Sequence, residues 1–335
     1  MMTTAKTVIS IIVGVCSMSI NTLAENTDKI SASDFISVSN LGLNPDSNQN
    51  ATPIVRQALE TLKATGGGTL IFPKGTYHFY EEGSLLTKDS PYVSNNQDEF
   101  PKWTAFSIKN MQNLTIDGSG SLFLFHHRMM VFHIEKSEHT ILKNLSFDFA
   151  APIHTDSTIT AIDNNSFTLE FAPGTTYIID ADGKFLFLVD GDKKADWASY
   201  SFEGTTGRSK YRLSQSFNNR LHKSKAKEIK TGTVEFAGEI RSGFQVGDRI
   251  TLRHNNRNHV GIFIEESKNT TLDHVTIHNA CGMGVVGQRS ENITLDHFLM
   301  EPRKGTGRIS TTMADATHFS GCRGLIKVTN SHFEA

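Results

Sequence analysis

A pattern with a period of 23 residues constrains the fold of this chain more than any other feature of its sequence. Three segments begin with Ser and carry apolar residues at matching positions: 137–147 (SEHTILKNLSF), 267–277 (SKNTTLDHVTI) and 290–300 (SENITLDHFLM). The last two start 23 residues apart, at Ser267 and Ser290. This short period, with Thr, Ile, Val and Phe in each copy, indicates strands stacked in coils, because helical repeats are longer and lack that bias.

The alternation within each copy predicts which side chains form the core. Side chains two positions apart on a strand point to the same face, so the matched apolar residues should point inward and stack on the next coil. These residues are Leu142, Leu145, Phe147, Leu272, Val275, Ile277, Leu295, Phe298 and Met300. The polar pairs between them, Asp273-His274 and Asp296-His297 among them, are predicted at an outward corner. We therefore predict an all-β parallel β-helix. A leucine-rich repeat is the alternative, but its repeated Asn signature is missing.

Two regions depart from the coil pattern. Apolar residues recur at helical spacing after Thr52, a candidate N-cap, and Pro53, a candidate N1 residue, and three glycines at 66–68 end the pattern. This predicts an N-terminal helix that caps the open end of the solenoid. Residues 153–259 contain short strand-like pieces separated by turn residues, which predicts an inserted antiparallel β-subdomain.

The N-terminus resembles an export signal. Lys6 precedes an apolar run at 7–15, and Thr22-Leu23-Ala24 resembles a small-residue cleavage site. We therefore expect a signal peptide at 1–24 and an exported protein, periplasmic or extracellular. The remaining domain boundaries are predicted at 25–152 (cap and first coils), 153–259 (inserted subdomain) and 260–335 (later coils, ending within a coil). The apolar run is too short to cross a bilayer, and no membrane span is expected.

Charge and cysteine content narrow the classes of partner. The chain has 33 Lys and Arg against 35 Asp and Glu, so it lacks the basic footprint of a nucleic-acid-binding protein. Cys281 and Cys322 are expected to be two small buried residues in neighbouring turns, although export would permit a disulfide. The sequence contains neither the Cys/His spacing of a structural zinc site nor a nucleotide-binding motif, so we expect no metal and no cofactor. Nothing in the sequence specifies an oligomeric state.

The densest group of polar residues lies between 301 and 323, directly after the last clear copy of the pattern. Within it, Asp315 and His318 are three residues apart and are flanked by small residues that would let a sugar ring approach. Positions i and i+3 of a strand face opposite ways, so both side chains reach one cleft only if a bend intervenes. Asp315 could act as a general acid or base, or it could be a turn residue satisfied by backbone N–H groups.

Other polar residues are weaker candidates for binding a substrate. Arg303 and Arg308 belong to the same dense group, and His278 follows Ile277 at a coil edge. His254 and Arg257 lie where the predicted insertion returns to the solenoid. Each of them could instead be an ordinary solvated residue.

Four motifs together are similar to those of a known enzyme family. They are residues 67–77 (GGTLIFPKGTY), 113–118 (NLTIDG), 261–263 (GIF) and 314–322 (ADATHFSGC). In this order they resemble the α-1,3-galactosidases of glycoside hydrolase family 110, from about residue 37 to the C-terminus. The first motif is shared by many β-helix proteins, whereas the last is far more specific. The resemblance implies a bacterial, right-handed, single-stranded β-helix of the pectin-lyase-like type.

The resemblance also implies a reaction and a catalytic residue. Family members remove terminal α-1,3-linked galactose from oligosaccharides or galactans with inversion, which requires two carboxyl groups on opposite sides of the bond. Asp315 matches one of the family's active-site carboxylates, and the others follow the equivalent of 334–335. We therefore expect an N-terminal portion of such an enzyme, which can be inactive by itself. The alternatives are another β-helix polysaccharide hydrolase or lyase, or a non-catalytic carbohydrate-binding β-helix.

Overall fold

The structure is a computed structural model, and it describes most of the chain beyond its N-terminus. The described residues are 35–88, 91–92, 101–151, 154–189, 192–194, 197–210, 221, 223–240, 242–254, 259–312 and 314–334. The predicted signal peptide at 1–24 and the candidate Arg257 lie outside these residues.

The described residues are mostly in strands, with one α-helix and one short 3₁₀-helix at Val38–Leu41. In chain order the elements are β1 (Phe35–Ser37), α1 (Thr52–Ala64), β2 (Gly68–Ile71), β3 (Thr76–Phe79), β4 (Leu85–Thr87), β5 (Lys102–Lys109), β6 (Gln112–Phe125), β7 (Met130–Glu135), β8 (Glu138–Phe149), β9 (His154–Ile162), β10 (Ser166–Phe171), β11 (Tyr177–Ile179), β12 (Phe185–Val189), β13 (Asp192–Lys194), β14 (Trp197–Phe202), β15 (Ala226–Lys230), β16 (Thr233–Ala237), β17 (Arg249–His254), β18 (Ile262–Glu265), β19 (Lys268–Ile277), β20 (Val285–Gln288), β21 (Glu291–Asp296), β22 (Leu299–Met300), β23 (Thr317–Ser320), β24 (Arg323–Thr329) and β25 (His332–Phe333).

The parallel strands form the stacked coils of a β-helix. One sheet has the order β1-β2-β6-β8-β19-β21-β24, and a second has the order β23-β20-β18-β7-β5-β4. From β5 to β8, and again from β18 to β21, the chain alternates between the two sheets, so that each return adds one rung to both. All pairs in these two sheets are parallel except β4 with β5. This arrangement agrees with the predicted β-helix.

Equivalent apolar residues of the three matched segments stack on one another inside the coils. Leu142 pairs with Leu272, which pairs with Leu295 on the next strand. Phe147, Ile277 and Met300 align in the same way on β8, β19 and β22. Because these side chains are between 0 and 1% exposed, the alternation identified inward-facing residues correctly in this region.

The corners between strands require a left-handed backbone, and this requirement explains much of the polar sequence there. Columns of residues with positive φ run up the coils at three corners. They are Asn110, Lys136, Glu266 and Arg289; Asn113, His139, Asn269 and Asn292; and Asn144, His274, His297 and Asn330. Asn and His tolerate this conformation better than most residues, so their recurrence at these positions has a conformational reason.

The Ser that begins each matched segment forms a buried ladder between coils. The Ser267 hydroxyl accepts from the Ser137 backbone N–H at 3.0 Å, and the Ser290 hydroxyl accepts from the Ser267 N–H at 3.1 Å. Each hydroxyl also donates to a backbone carbonyl of the preceding strand. These bonds satisfy backbone groups at a corner that water does not reach.

Helix α1 packs its apolar face on the first coils. Val55, Ala58, Leu59 and Leu62 are buried in the main core. Thr52 is the first helical residue and Ala51 the N-cap, so the predicted N-cap was wrong by one position. The Thr52 hydroxyl donates to the Tyr80 carbonyl at 2.9 Å, which ties the helix to the chain after β3.

Strands β9, β10 and β14 to β17 pair with one another in antiparallel fashion. They form one sheet with the order β14-β17-β9-β10-β16-β15, and β11-β12-β13 form a smaller one. Apolar residues of the larger sheet are buried, among them Phe167, Phe236 and Leu252. The chain leaves the coils after β8 and returns to them at β18.

Two negative findings concern the described residues only. None of their helices has the length and apolar character needed to cross a membrane. Cys281 is buried, Cys322 is partly exposed, and the two are not joined by a disulfide.

Candidate active site

The candidate site lies at the start of β23, the last strand of the second parallel sheet. His318 on β23 is in register with Val286 on β20, which is in register with Phe263 on β18. Alternate residues of a strand face opposite ways, and Phe319 packs against the main core. His318 therefore lies on the outer face of the sheet, in a row with Val286 and Phe263.

Asp315 and His318 are in direct contact. The Asp315 Oδ2 atom lies 3.0 Å from His318 Nδ1. The backbone bends at Ala314 and Ala316, before β23 begins, and these bends bring the two side chains together across three residues. The Asp315 side chain is 59% exposed and that of His318 is 33% exposed, so solvent reaches both groups.

A small apolar cluster adjoins this pair on the outer face of the sheet. Ala314 packs against it. Its buried members are Tyr92, Met130, Val260, Phe263, Met283 and Val286. Because its members are at most 5% exposed, this cluster is an apolar packing layer beside the exposed carboxylate and imidazole.

The backbone around Asp315 is held by the preceding coil. The Gly284 N–H donates to the Asp315 carbonyl at 3.0 Å, and the Val285 N–H donates to the Ala316 carbonyl at 2.9 Å. A Cβ atom on Gly284 would lie 2.5 Å from the Ala316 oxygen. Only a residue without a side chain allows this close approach, so Gly284 fixes the position of the chain beside Asp315.

Residues 301–312, the anchored loop hereafter, lead from β22 towards Asp315 and are secured by a buried ion pair. Asp148 is fully buried at the end of β8. Its carboxylate accepts from Arg308 Nη1 at 2.5 Å and from Arg303 Nε at 2.6 Å. Arg308 also donates to the Phe149 carbonyl at 2.9 Å. The side chain of Arg308 is 4% exposed, so this charge depends on Asp148 for compensation.

A second buried carboxylate, Asp156 on β9, secures the same loop. It accepts from the Ile309 N–H at 2.7 Å, the Ser310 N–H at 3.3 Å and the Thr251 hydroxyl at 2.5 Å. His154 Nε2 donates to the Ser310 carbonyl at 2.7 Å. Burial lowers the pKa of the enclosed His154 imidazole, and this outweighs the opposite effect of the Asp156 carboxylate.

The other predicted site residues lie in several different environments. His278 Nδ1 contacts the Glu301 carbonyl at 2.9 Å and thus meets the beginning of the anchored loop. Arg303 and Arg308 are engaged with Asp148, so their predicted role in binding substrate stays a prediction. His254 ends β17, but its side chain is outside the described part, as is all of Arg257.

Sequence reasoning missed the residues that hold the loop, although one of them had a detectable signal. Asp148 directly follows Phe147, as His278 follows Ile277 and Glu301 follows Met300. This position is therefore polar in every copy. Asp156 and His154 gave no such signal, because they contact residues about 150 positions away in the sequence.

Comparison with known proteins identifies relatives along most of the chain. Residues 156–250 match the family model described as GLAA-B beta-barrel domain I, and they comprise most of the antiparallel strands. The chain is 32% identical over 307 residues to "Alpha-1,3-galactosidase B" of Bacteroides thetaiotaomicron, covering 90% of this chain and 49% of that protein. It is 35% identical over 321 residues to a protein of the same name from Bacteroides fragilis, covering 89% and 50%.

The chain is thus similar, along about nine tenths of its length, to proteins named α-1,3-galactosidases. A further relative, "Alpha-1,3-galactosidase A" of Shewanella woodyi, is 29% identical over 316 residues, covering 93% of this chain and 51% of that protein. The chain spans about half the length of the curated relatives it matches. Among solved structures, a hyperthermoactive exopolygalacturonase from Thermotoga maritima is similar at a TM-score of 0.34 and 11% identity, covering 90% of this chain and 54% of that one.

Proposed function

We propose that this chain is part of an exo-acting glycoside hydrolase that removes terminal α-1,3-linked galactose with inversion, and that Asp315 is one of its active-site carboxyl groups. The observation that carries the proposal is the identity of 29–35% to proteins named α-1,3-galactosidases over about nine tenths of the chain. The proposal extends to a galactose-terminated glycan or galactan as substrate.

The surroundings of Asp315 support a role in acid–base chemistry. Inversion needs one carboxylic acid to protonate the leaving oxygen and one carboxylate to activate water, about 6.5–9.5 Å apart. Asp315 is solvent-accessible and contacts His318. A hydrogen bond between the imidazole and the carboxyl group can hold the orientation of that group. The resemblance does not assign the second carboxyl group to any residue of this chain.

The proposal includes three features of the protein around the site. We propose that the β-helix is right-handed, that residues 153–259 form an inserted subdomain, and that the protein is exported by a signal peptide at 1–24. The antiparallel pairing of β9 to β17 supports the second. The apolar run at 7–15, followed by Thr22-Leu23-Ala24, supports the third.

The activity is tested with the chain extended by the segment that follows the equivalent of 334–335 in its relatives. The extended chain is incubated with an α-1,3-linked galactobiose, and free galactose is measured. The expected result is release of galactose, with the anomeric proton signals in NMR showing the β-anomer first. Asp315→Asn should lower the rate by a factor of about 100 or more, since acid–base catalysis contributes 10²–10⁴-fold. Glu334→Gln is a matched control, because Glu334 is 60% exposed and lies 3.8 Å from His332.

Different outcomes would distinguish the alternatives. A product that absorbs in the ultraviolet would indicate a lyase instead of a hydrolase. Saturable binding of the disaccharide without any free galactose would indicate a carbohydrate-binding β-helix. Full activity of Asp315→Asn would refute the role assigned to this residue, even if the chain does release galactose.

A further inference from the structure

Two Asp-His pairs meet on a corner of the coils that belongs to the other parallel sheet. Asp273 on β19 is in register with Asp296 on β21, so the following residues, His274 and His297, are also neighbours. Both histidines have positive φ, at 51° and 48°. The pairs are 23 residues apart in the sequence, and the period of the coils therefore places them on top of each other.

The side chains of Asp273, His274 and His297 converge on one small volume. The two imidazole rings are stacked, with centroids 4.3 Å apart and an angle of 10° between their planes. Asp273 Oδ1 lies 2.7 Å from His274 Nδ1. One ligand atom from each of Asp273, His274 and His297 lies within 4.8 Å of the other two. Donors 2.0–2.1 Å from a tetrahedral zinc ion are about 3.3 Å apart, so a rotation of exposed side chains closes the remaining gap.

We propose that Asp273, His274 and His297 bind one divalent transition-metal ion of the zinc type. Two imidazole nitrogens and one carboxylate suit zinc, nickel or copper, whereas calcium and magnesium prefer oxygen ligands only. Three protein ligands leave the fourth position open for water or a small anion. The side chains of the three residues are between 39 and 55% exposed, so an ion reaches them directly from solvent.

The neighbouring residues favour binding at this corner. Asp296 lies 3.3 Å from His297 Nδ1 and can hold the ring through that nitrogen, as carboxylates commonly do for metal-binding histidines. Asp296 is itself fixed by hydrogen bonds of 2.9 Å from both Thr329 and Asn330. Lys143 is the residue in register with Asp273 on β8, but its ammonium group pairs with Asp117 at 3.2 Å.

The sequence predicted no metal because it lacks the Cys/His spacing that marks structural zinc sites. In a solenoid, the coil period replaces that local spacing, since residues one period apart become neighbours. The proposed site lies on the sheet that contains β19 and β21, whereas Asp315 lies beside the sheet that contains β23. The proposal therefore does not depend on the galactosidase activity.

The test is a calorimetric titration of the tag-free chain with zinc sulfate. One ion should bind per chain, and neither Mg²⁺ nor Ca²⁺ should compete with it. His274→Asn and His297→Asn should each weaken zinc binding by about 100-fold or more, above the usual effect of losing an outer partner. Asn is the substitution of choice, because Asn144 and Asn330 occupy the same corner with positive φ.

A matched control is His139→Asn. His139 also has positive φ, at 55°, is 58% exposed and lies beside an acidic residue, but it is outside the proposed site. This variant should bind zinc as the unaltered chain does. Absence of zinc binding by the unaltered chain would overturn the proposal. Equal binding by the doubly substituted chain (His274→Asn with His297→Asn), or equal loss in the His139 variant, would overturn it as well.

Discussion

Removing the carboxylate charge of Asp148 should loosen the loop that leads to Asp315. In Asp148→Asn the buried guanidinium of Arg308 loses its counterion, while Arg303, whose side chain is 35% exposed, can turn towards water. Taking one partner from a buried ion pair costs about 3–5 kcal/mol, because the remaining charge stays uncompensated in a medium of low polarity. Most of this loss comes from Arg308, since its side chain is only 4% exposed.

Two measurements test this magnitude. Urea unfolding followed by circular dichroism should show a free energy of unfolding lower by about 3–5 kcal/mol. Hydrogen exchange followed by mass spectrometry should show that Asp148→Asn accelerates exchange more in the anchored loop, residues 301–312, than elsewhere in the chain. Galactose release should fall together with loop protection, because the loop leads directly into Asp315.

Control variants separate the effect of losing a buried charge from the effect of changing the shape of a side chain. Glu170→Gln removes a charge from an ion pair in which both side chains are more than half exposed, and it should change stability little. Asp148→Leu combined with Arg308→Met replaces the buried pair by apolar groups and should recover most of the lost stability. If Asp148→Asn lost less than about 1 kcal/mol, or if the apolar pair were no better than that single variant, the assigned role would be refuted.

Three further predictions concern the buried His154, the close backbone approach at Gly284 and the positive φ of Asn269. Burial lowers the pKa of His154 from 6.5, so the folded state binds fewer protons than the unfolded state below that pH. Stability should thus fall as the pH drops below about 6.5, by up to about 1.4 kcal/mol per unit, and His154→Asn should flatten this slope in urea titrations. Gly284→Ala should destabilise by about 1–3 kcal/mol and slow galactose release, because the new methyl group meets the Ala316 oxygen. Asn269→Ala should cost about 1–2 kcal/mol more than Asn269→Gly in the same assay, because φ is 54° there.

The fold could be predicted from the sequence where its period is regular. Leu142, Leu272 and Leu295 were recognisable as stacked core residues because their spacing to the initial Ser is constant. The contact of Asp315 with His318 needed a bend, which the sequence suggested only as a condition. The pairing of the anchored loop with its buried partners was not predictable, because Asp148 contacts Arg308 across 160 positions and no local pattern specifies that pairing.

The antiparallel strands help to hold the loop that leads to the candidate site. Asp156 and Thr251 come from β9 and β17, and both contact the anchored loop or its contact partners. Arg249, also on β17, donates to the Gly307 carbonyl at 2.8 Å. These strands pair with each other, so a displacement of one displaces the contacts of the other. The loop before Asp315 is thus held from one side by the coils, through Asp148, and from the other by the antiparallel sheet. The antiparallel sheet therefore adds a second set of contacts to those made by the coils, and both sets restrict the position of the loop that leads to Asp315.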